Sequence, residues 1–178
     1  QPDVFKVLIN DLNLSLPYVK YVDDVSAMSV STDPNDDSLQ QAVNDTYAWS
    51  LEHGMVLNAT KSKEMCVVFT KAIDKQFITP ININNEIVER VASFKLLGVI
   101  IRCDLSWQEH VDYIITKASK RFYVLCQLKR SGVCNLDIIA VYCSLIRSVV
   151  EYASPVWHSG LTKNQSDLIE GVQKDASV

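Results

Sequence analysis

Little in this chain points to redox, zinc or membrane chemistry. Its five cysteines (Cys66, Cys103, Cys126, Cys134 and Cys143) are scattered and odd in number, with no Cys-x-x-Cys pair. That usage argues against a disulfide framework or a thiolate zinc site and suits a reducing compartment. The three histidines, His53, His110 and His158, fall at no metal-ligand spacing and read as structural or exposed. No apolar run approaches the roughly 20 residues needed to cross a bilayer. The best candidate, residues 138 to 146, is closed by Asp137 and Arg147. No charged-then-apolar leader opens the chain, so a secretory signal is not expected and an intracellular location, nucleus or cytoplasm, is.

What is present suits a folded domain. A chain of 178 residues with 48% hydrophobic content can bury a core and has room for one domain or two small subdomains. The formal net charge of −4 would oppose nucleic-acid binding if it were spread evenly. It is not: residues 1–60 carry nine acids and two bases, residues 61–134 seven acids and twelve bases, residues 135–178 five acids and three bases. An acidic tip followed by a basic segment can hold cations at one end and phosphates at the other.

The sharpest local feature is Tyr21-Val22-Asp23-Asp24, set between Leu16–Lys20 and Val25–Val30. Both flanks alternate apolar and polar residues with the period of a β-strand, which places the acidic pair at the tip of a tight hairpin. Two readings are open. Asp is a favoured turn residue, so the pair can be an ordinary surface turn. Two carboxylates held that close repel, and a hard divalent cation such as Mg²⁺ relieves the repulsion.

Further elements are legible along the chain. Asp33-Pro34-Asn35-Asp36-Asp37 reads as a turn whose Asp36 or Asp37 caps a helix from about Ser38 to His53, ended by Gly54. Leu39, Val43, Thr46, Tyr47 and Leu51 offer its semi-apolar face. Residues 65–69 read as a buried strand, and residues 81–83 and 87–91 as a hairpin around Asn84-Asn85. Residues 94–101 read as one more strand, giving a mixed sheet. From Trp107 the period becomes helical, with Val111, Ile114, Ile115, Ala118, Phe122 and Leu125 on one face and a stop near Ser131-Gly132. Residues 136–150 and 165–174 read as two more helices, with Trp107 and Trp157 as core anchors of the helical lobe. The fold class expected is α+β.

Five segments, in order, resemble the reverse transcriptases of LINE-type, non-LTR retrotransposons. They are Ile9-Asn10-Asp11-Leu12 leading into Val19–Asp24, residues 49–63 (WSLEHGMVLNATKSK), Phe94-Lys95-Leu96-Leu97-Gly98-Val99 with Leu105-Ser106-Trp107 and His110-Val111, Tyr152-Ala153-Ser154-Pro155-Val156-Trp157, and the helix through Gln165, Ile169 and Gln173. The resemblance implies a partial palm over residues 1–103, built of antiparallel hairpins plus a helix, and a helical thumb-like lobe over residues 104–178. It implies RNA-templated DNA synthesis by two-metal nucleotidyl transfer in the complete enzyme, with Mg²⁺, an RNA template, a DNA primer and deoxynucleoside triphosphates.

The same resemblance suggests roles for individual residues. Asp23 and Asp24 become catalytic metal ligands. Tyr21 lies near the active site, although core packing explains a strand tyrosine equally well. Lys61 and Lys63 fall in the segment that closes on the triphosphate, or are two solvated loop lysines. Phe94, Lys95, Leu97 and Gly98 match the hairpin that holds the primer end, with Gly98 allowing close backbone approach, or form a plain core strand. Lys117, Lys120 and Arg121 share a helical face opposite the apolar stripe, with Lys129 and Arg130 at the helix end. That face tracks the template–primer backbone or is simply solvated.

The chain also departs from the family. Val22 stands where alanine is usual. The upstream catalytic aspartate and the fingers have no counterpart, and Gln1-Pro2 reads as the stub of a nucleotide-contacting segment. The expectation is therefore a C-terminal piece that does not polymerise alone. The alternative is a non-catalytic remnant that binds nucleic acid or protein.

Overall fold

A computed structural model of the chain describes residues 9–33, 35–69 and 78–175. Gln1-Pro2, Pro34 and the side chain of Gln173 lie outside the described residues. The fold is α+β and divides into two compact units, Gln1–Ala92 and Ser93–Val178.

The first unit begins with the hairpin of β1 (Tyr18–Tyr21) and β2 (Asp24–Ala27), paired antiparallel with Tyr21 opposite Asp24. Helix α1 (Ser38–Glu52) follows the expected turn. Asp37 is the N-cap residue but makes no side-chain cap bond; just before it the Ser38 amide donates to Asp36 Oδ1 at 2.9 Å, and this bond holds the Asp36 carboxyl below its usual range. Gly54, at φ +65°, turns the chain out at the other end.

Leu39, Val43 and Tyr47 of α1 pack on a small core of Ala59, Ile81, Ile83 and Val88. The expected face holds at Leu39, Val43 and Tyr47 and fails at Leu51, which is 58% exposed, while Ala42 and Ser50 are buried as well. Strand β4 (Asn82–Ile83) and β5 (Glu86–Ile87) form the anticipated hairpin around Asn84 and Asn85, which both take positive φ, as a type I′ turn requires. Gln40 of α1 bonds both the amide and the carbonyl of Asn82, so a side chain serves as that strand's second neighbour.

Residues 65–69 do not form the expected strand. Among the described residues the extended pairing there is β3 (Lys63–Glu64), which runs parallel to β6 (Glu89–Arg90). The reason is electrostatic as much as apolar. Arg90 donates to both oxygens of the buried Glu64 carboxylate at 3.0 and 3.1 Å, fixing the register where the charges lie opposite. Glu64 in turn raises the Arg90 pKa.

In the second unit, residues 94–101 are not one strand. They form a hairpin of β7 (Ser93–Leu96) and β8 (Val99–Arg102) around Leu97 and Gly98, both at positive φ. Across the described residues the strands thus pair as four two-stranded sheets and not as one mixed sheet. Runs of two to four residues are too short to align further neighbours.

The helical part of this unit matches expectation more closely. Helix α2 (Gln108–Arg130) buries His110, Val111, Ile114, Ala118 and Leu125. Helix α3 (Asn135–Tyr142) continues through a π-helical turn, Cys143–Arg147, and a last α-turn, Ser148–Val150. Two elements escaped the periodicity: the short α4 (Ser154–Trp157), entered through Ala153 at φ +50°, and a 3₁₀ turn at His158–Gly160. Helix α5 (Lys163–Asp175) starts on a reciprocal pair in which the Thr162 amide donates to Gln165 Oε1 and the Gln165 amide donates to Thr162 Oγ1. Val111, Ile146, Val150, Trp157 and Ile169 meet in its core.

Candidate functional site

The acidic tip is built by its own hairpin. Tyr18, Lys20, Val25 and Ala27 are half-buried on one face, while Val19, Tyr21, Asp24 and Ser26 are exposed on the other. Lys20 anchors the inner face by donating to the carbonyls of Ile9, Asn10 and Leu12 at 2.8, 3.2 and 2.5 Å. The Tyr18 hydroxyl donates to Asn13 Oδ1 at 3.2 Å, and the Met28 amide to the Pro17 carbonyl at 2.9 Å.

Asp23 and Asp24 are exposed and make no side-chain hydrogen bond or ion pair with another described residue. Val22 holds φ +57°, the sign a type II′ turn needs at its first central residue and one that a β-branched side chain rarely adopts. Two adjacent carboxylates are suitable oxygen donors for a hard cation. They supply only part of its shell, which waters and phosphate oxygens ordinarily complete. Among the described residues no group of three or more His, Cys, Asp or Glu side chains converges to hold a metal. Tyr21 shares the exposed face with Asp24 and is 58% exposed, so core packing is not its role here.

Lys61 and Lys63 differ in setting. Both follow a turn closed by Asn58, whose carbonyl accepts the Lys61 and Ser62 amides at 3.2 and 3.0 Å. Lys61 is exposed, whereas the Lys63 ammonium donates to Glu89 Oε2 at 2.5 Å and to the Thr60 carbonyl. Its charge is therefore matched within the first unit.

The Phe94–Gly98 hairpin stands with the helices of the second unit and is fastened along one side of α2. Ser93 Oγ donates to Glu109 Oε1 at 3.1 Å, the Ile100 amide to His110 Nδ1 at 3.3 Å, and Lys95 Nζ to the Tyr113 hydroxyl at 2.8 Å. At the turn, the Tyr152 hydroxyl donates to the Leu97 carbonyl at 2.8 Å, and its ring lies where a Gly98 Cβ would come within 3.1 Å. Gly98 is thus a point of close approach, by a side chain and not by backbone. The Trp157 indole donates back to the Tyr152 carbonyl at 3.0 Å, so Tyr152 to Trp157 is one closed element.

The basic residues of α2 do not form one face. Lys117 and Lys120 are exposed, as are Lys129 and Arg130 at the helix end. Arg121 turns inward, and its Nη1 donates to the Leu145 carbonyl in the π-helical turn at 2.7 Å. Sequence spacing cannot anticipate that partner, because it lies 24 residues away and exists only once α3 packs on α2.

Two residues with chemical character were not among the candidate site residues. His110 is 1% exposed: the Ile100 amide donates to its Nδ1, its Nε2 has no partner, and its ring meets Trp157 edge-on at 5.4 Å. Burial depresses its pKa below the ordinary 6.5. Tyr113 carries the Lys95 ammonium over its ring and on its oxygen, and this contact lowers the phenol pKa.

No protein-family model, curated protein or solved structure matches this chain. Among the described residues no helix is long and apolar enough to cross a membrane.

Proposed function

We propose that the chain is part of an RNA-directed DNA polymerase of the non-LTR retrotransposon type, with Asp23 and Asp24 as two of its metal ligands. The observation that carries the reading is the hairpin itself. Tyr21-Val22-Asp23-Asp24 closes a two-residue turn that presents both carboxylates, unpaired, at an exposed tip. The five resembling segments, in order along the chain, support it.

In the complete enzyme Asp23 and Asp24 would help to hold Mg²⁺, which would supply Lewis-acid activation of a primer 3′-hydroxyl and charge stabilisation at the phosphates of a deoxynucleoside triphosphate. Lys20 fixes the hairpin from behind, and Asp23 and Asp24 orient their oxygens outward. Lys61 is the exposed cation of the Asn58 turn. Two carboxylates are a weak cage for Mg²⁺, so the isolated chain is expected to bind a divalent cation loosely and to extend no primer.

The test is Mn²⁺ titration followed by paramagnetic broadening of amide signals, with primer extension on an RNA template in parallel. Broadening centred on residues 21–25, and absent in the Asp23→Asn, Asp24→Asn double variant, is the expected result. Broadening elsewhere, or equal in the double variant, refutes the assignment of these ligands. Extension abolished in the double variant would refute the expected inactivity and uphold the family reading.

A further inference from the structure

We propose that a cavity in the second unit, enclosed by the turn Ser148–Val150, α4 and α5, binds a small organic ammonium compound with an apolar body. The site lies far along the chain from Asp23 and Asp24 and rests on none of the polymerase reading.

The cavity has a volume of about 330 Å³, at the lower end of the range of small-molecule sites. Its walls are graded. The floor is apolar and belongs to the core, for Val150, Trp157 and Ile169 are all buried. Half-buried Ser154, Leu161 and Ser166 stand above it, and exposed Glu151, His158 and Glu170 ring the mouth. The local chain explains the opening. Ala153, at φ +50°, swings the backbone into the short α4, and the 3₁₀ turn at His158–Gly160 leads it back towards α5. Sharp reversals at both ends of so short a helix leave the space between α4 and α5 incompletely filled.

Charge selects the ligand. Both acidic side chains at the mouth are carboxylates, and no lysine or arginine lines the cavity. Such a mouth repels an anion and attracts a cation. The partners of the two carboxylates lie outside it. Arg147 Nε donates to Glu151 Oε1 at 2.7 Å, while Glu151 Oε2 makes no hydrogen bond among the described residues. Lys174 Nζ stands 3.6 Å from Glu170 Oε2, in an i,i+4 pair whose side chains are 80% and 58% exposed. A surface pair of this kind contributes little, so an ammonium in the mouth displaces Lys174 at small cost. A bare metal ion is served less well: among the described residues no three His, Cys, Asp or Glu side chains converge.

Hydrogen-bonding capacity completes the match. The Ser154 and Ser166 hydroxyls and the His158 ring make no side-chain hydrogen bond with another described residue. An ammonium brings N–H donors and no acceptor, and carboxylates, hydroxyls and an imidazole all accept. His158 also lies beside Trp157, with ring centroids 6.3 Å apart, so aromatic as well as aliphatic surface is offered to the apolar body.

Two-dimensional NMR titration of the full chain tests the proposal with three probes of similar shape, phenethylamine, phenethyl alcohol and hydrocinnamate, at equal ionic strength. Saturable shifts centred on residues 150–170 are expected. The amine should bind about fivefold more tightly than the alcohol, and the carboxylate more weakly than either. Glu151→Gln and Glu170→Gln should each lower the affinity for the amine about fivefold and leave that for the alcohol unchanged. Glu86→Gln, at an exposed carboxylate of the first unit, is the charge control. Ser166→Leu narrows the cavity and should abolish binding of amine and alcohol alike, with unmoved signals from Val111 and Ile146 showing an intact core.

An amine bound no more tightly than the alcohol, or losses in the two glutamine variants no larger than the control's, overturns the cation assignment. No saturable shift, shifts centred elsewhere, or binding retained by Ser166→Leu overturns the cavity as the site. Nα-acetyl-lysine N-methylamide carries the same ammonium on a peptide unit. Binding as tight as that of phenethylamine assigns the cavity to a lysine side chain of a partner and overturns the small-molecule reading; weaker binding upholds it. Mn²⁺ broadening at Asp23 and Asp24, or its absence, bears on the polymerase reading alone.

Discussion

Replacing Gly98 by alanine should destabilise the second unit by about 2 kcal/mol, and the sum can be worked from the turn. Gly98 sits at φ +90°, where an L-residue costs about 1–2 kcal/mol. The added Cβ would lie 3.1 Å from Tyr152 Cε1 and 3.7 Å from Cζ and the hydroxyl oxygen. The ring cannot retreat freely, because its hydroxyl donates to the Leu97 carbonyl, a bond worth about 1 kcal/mol net. Against these stands the lower entropy of an unfolded chain with alanine, about 0.4–1 kcal/mol in favour of the variant. For a unit of this size a 2 kcal/mol loss lowers the midpoint by about 8–16 °C.

Denaturation of the full chain in a Trp49→Phe background reads this directly, since Trp107 and Trp157 then report the second unit alone. The decisive comparison is a double-mutant cycle with Tyr152→Ala. Without the ring, Gly98→Ala should retain only its backbone cost, so its penalty should fall by about half. An unchanged penalty in that background would refute the contact argument. A loss below about 0.5 kcal/mol in the native background would refute the backbone term as well.

Two further outcomes follow from buried charge. His110 is held neutral, so the unfolded chain binds more protons than the folded one below the ordinary histidine pKa. The second unit should therefore lose stability as pH falls below 6.5, and His110→Gln should flatten that dependence; equal slopes for the two chains between pH 7 and 5 would contradict it. In the first unit, Glu64→Ala leaves Arg90 without its bidentate carboxylate and should cost about 3 kcal/mol, read by Trp49 fluorescence. A loss under about 1 kcal/mol would mean that the Ile78 and Thr79 carbonyls suffice for the guanidinium.

Much of the local architecture was legible because it depends on neighbours in sequence. The Asn84-Asn85 turn needs two residues that tolerate positive φ, and asparagine does. Helix α2 announces itself through Val111, Ile114, Ala118 and Leu125 at helical spacing, and its end through Gly132 at φ +74°. The acidic tip was readable for the same reason: period-two flanks leave only a turn for Val22 and Asp23.

The errors share a different cause. Residues 65–69 have a strand's composition, but among the described residues the neighbouring strand β6 pairs at Lys63 and Glu64, where Arg90 meets Glu64. Leu51 looked like part of the α1 core face, yet it is 58% exposed, and the helix is packed through Leu39, Val43 and Tyr47. Residues 94–101 read as continuous because Leu97 gives no sign of a turn. Leu97 takes positive φ in a turn whose carbonyl accepts from Tyr152, 55 residues away.

The sequence alone determined the class of fold, the extent of α1 and α2 to within a residue or two, the two asparagine and aspartate turns and the identity of the tip carboxylates, since each follows from propensity and periodicity over a few residues. Tertiary structure alone decided which polar side chains are spent and which are left available. Lys63 and Arg121 are consumed by Glu89 and the Leu145 carbonyl, while Lys95 and Lys117 are drawn onto Tyr113. Those partners are distant in sequence, and a charge is neutralised or exposed by what lies within a few ångströms in space.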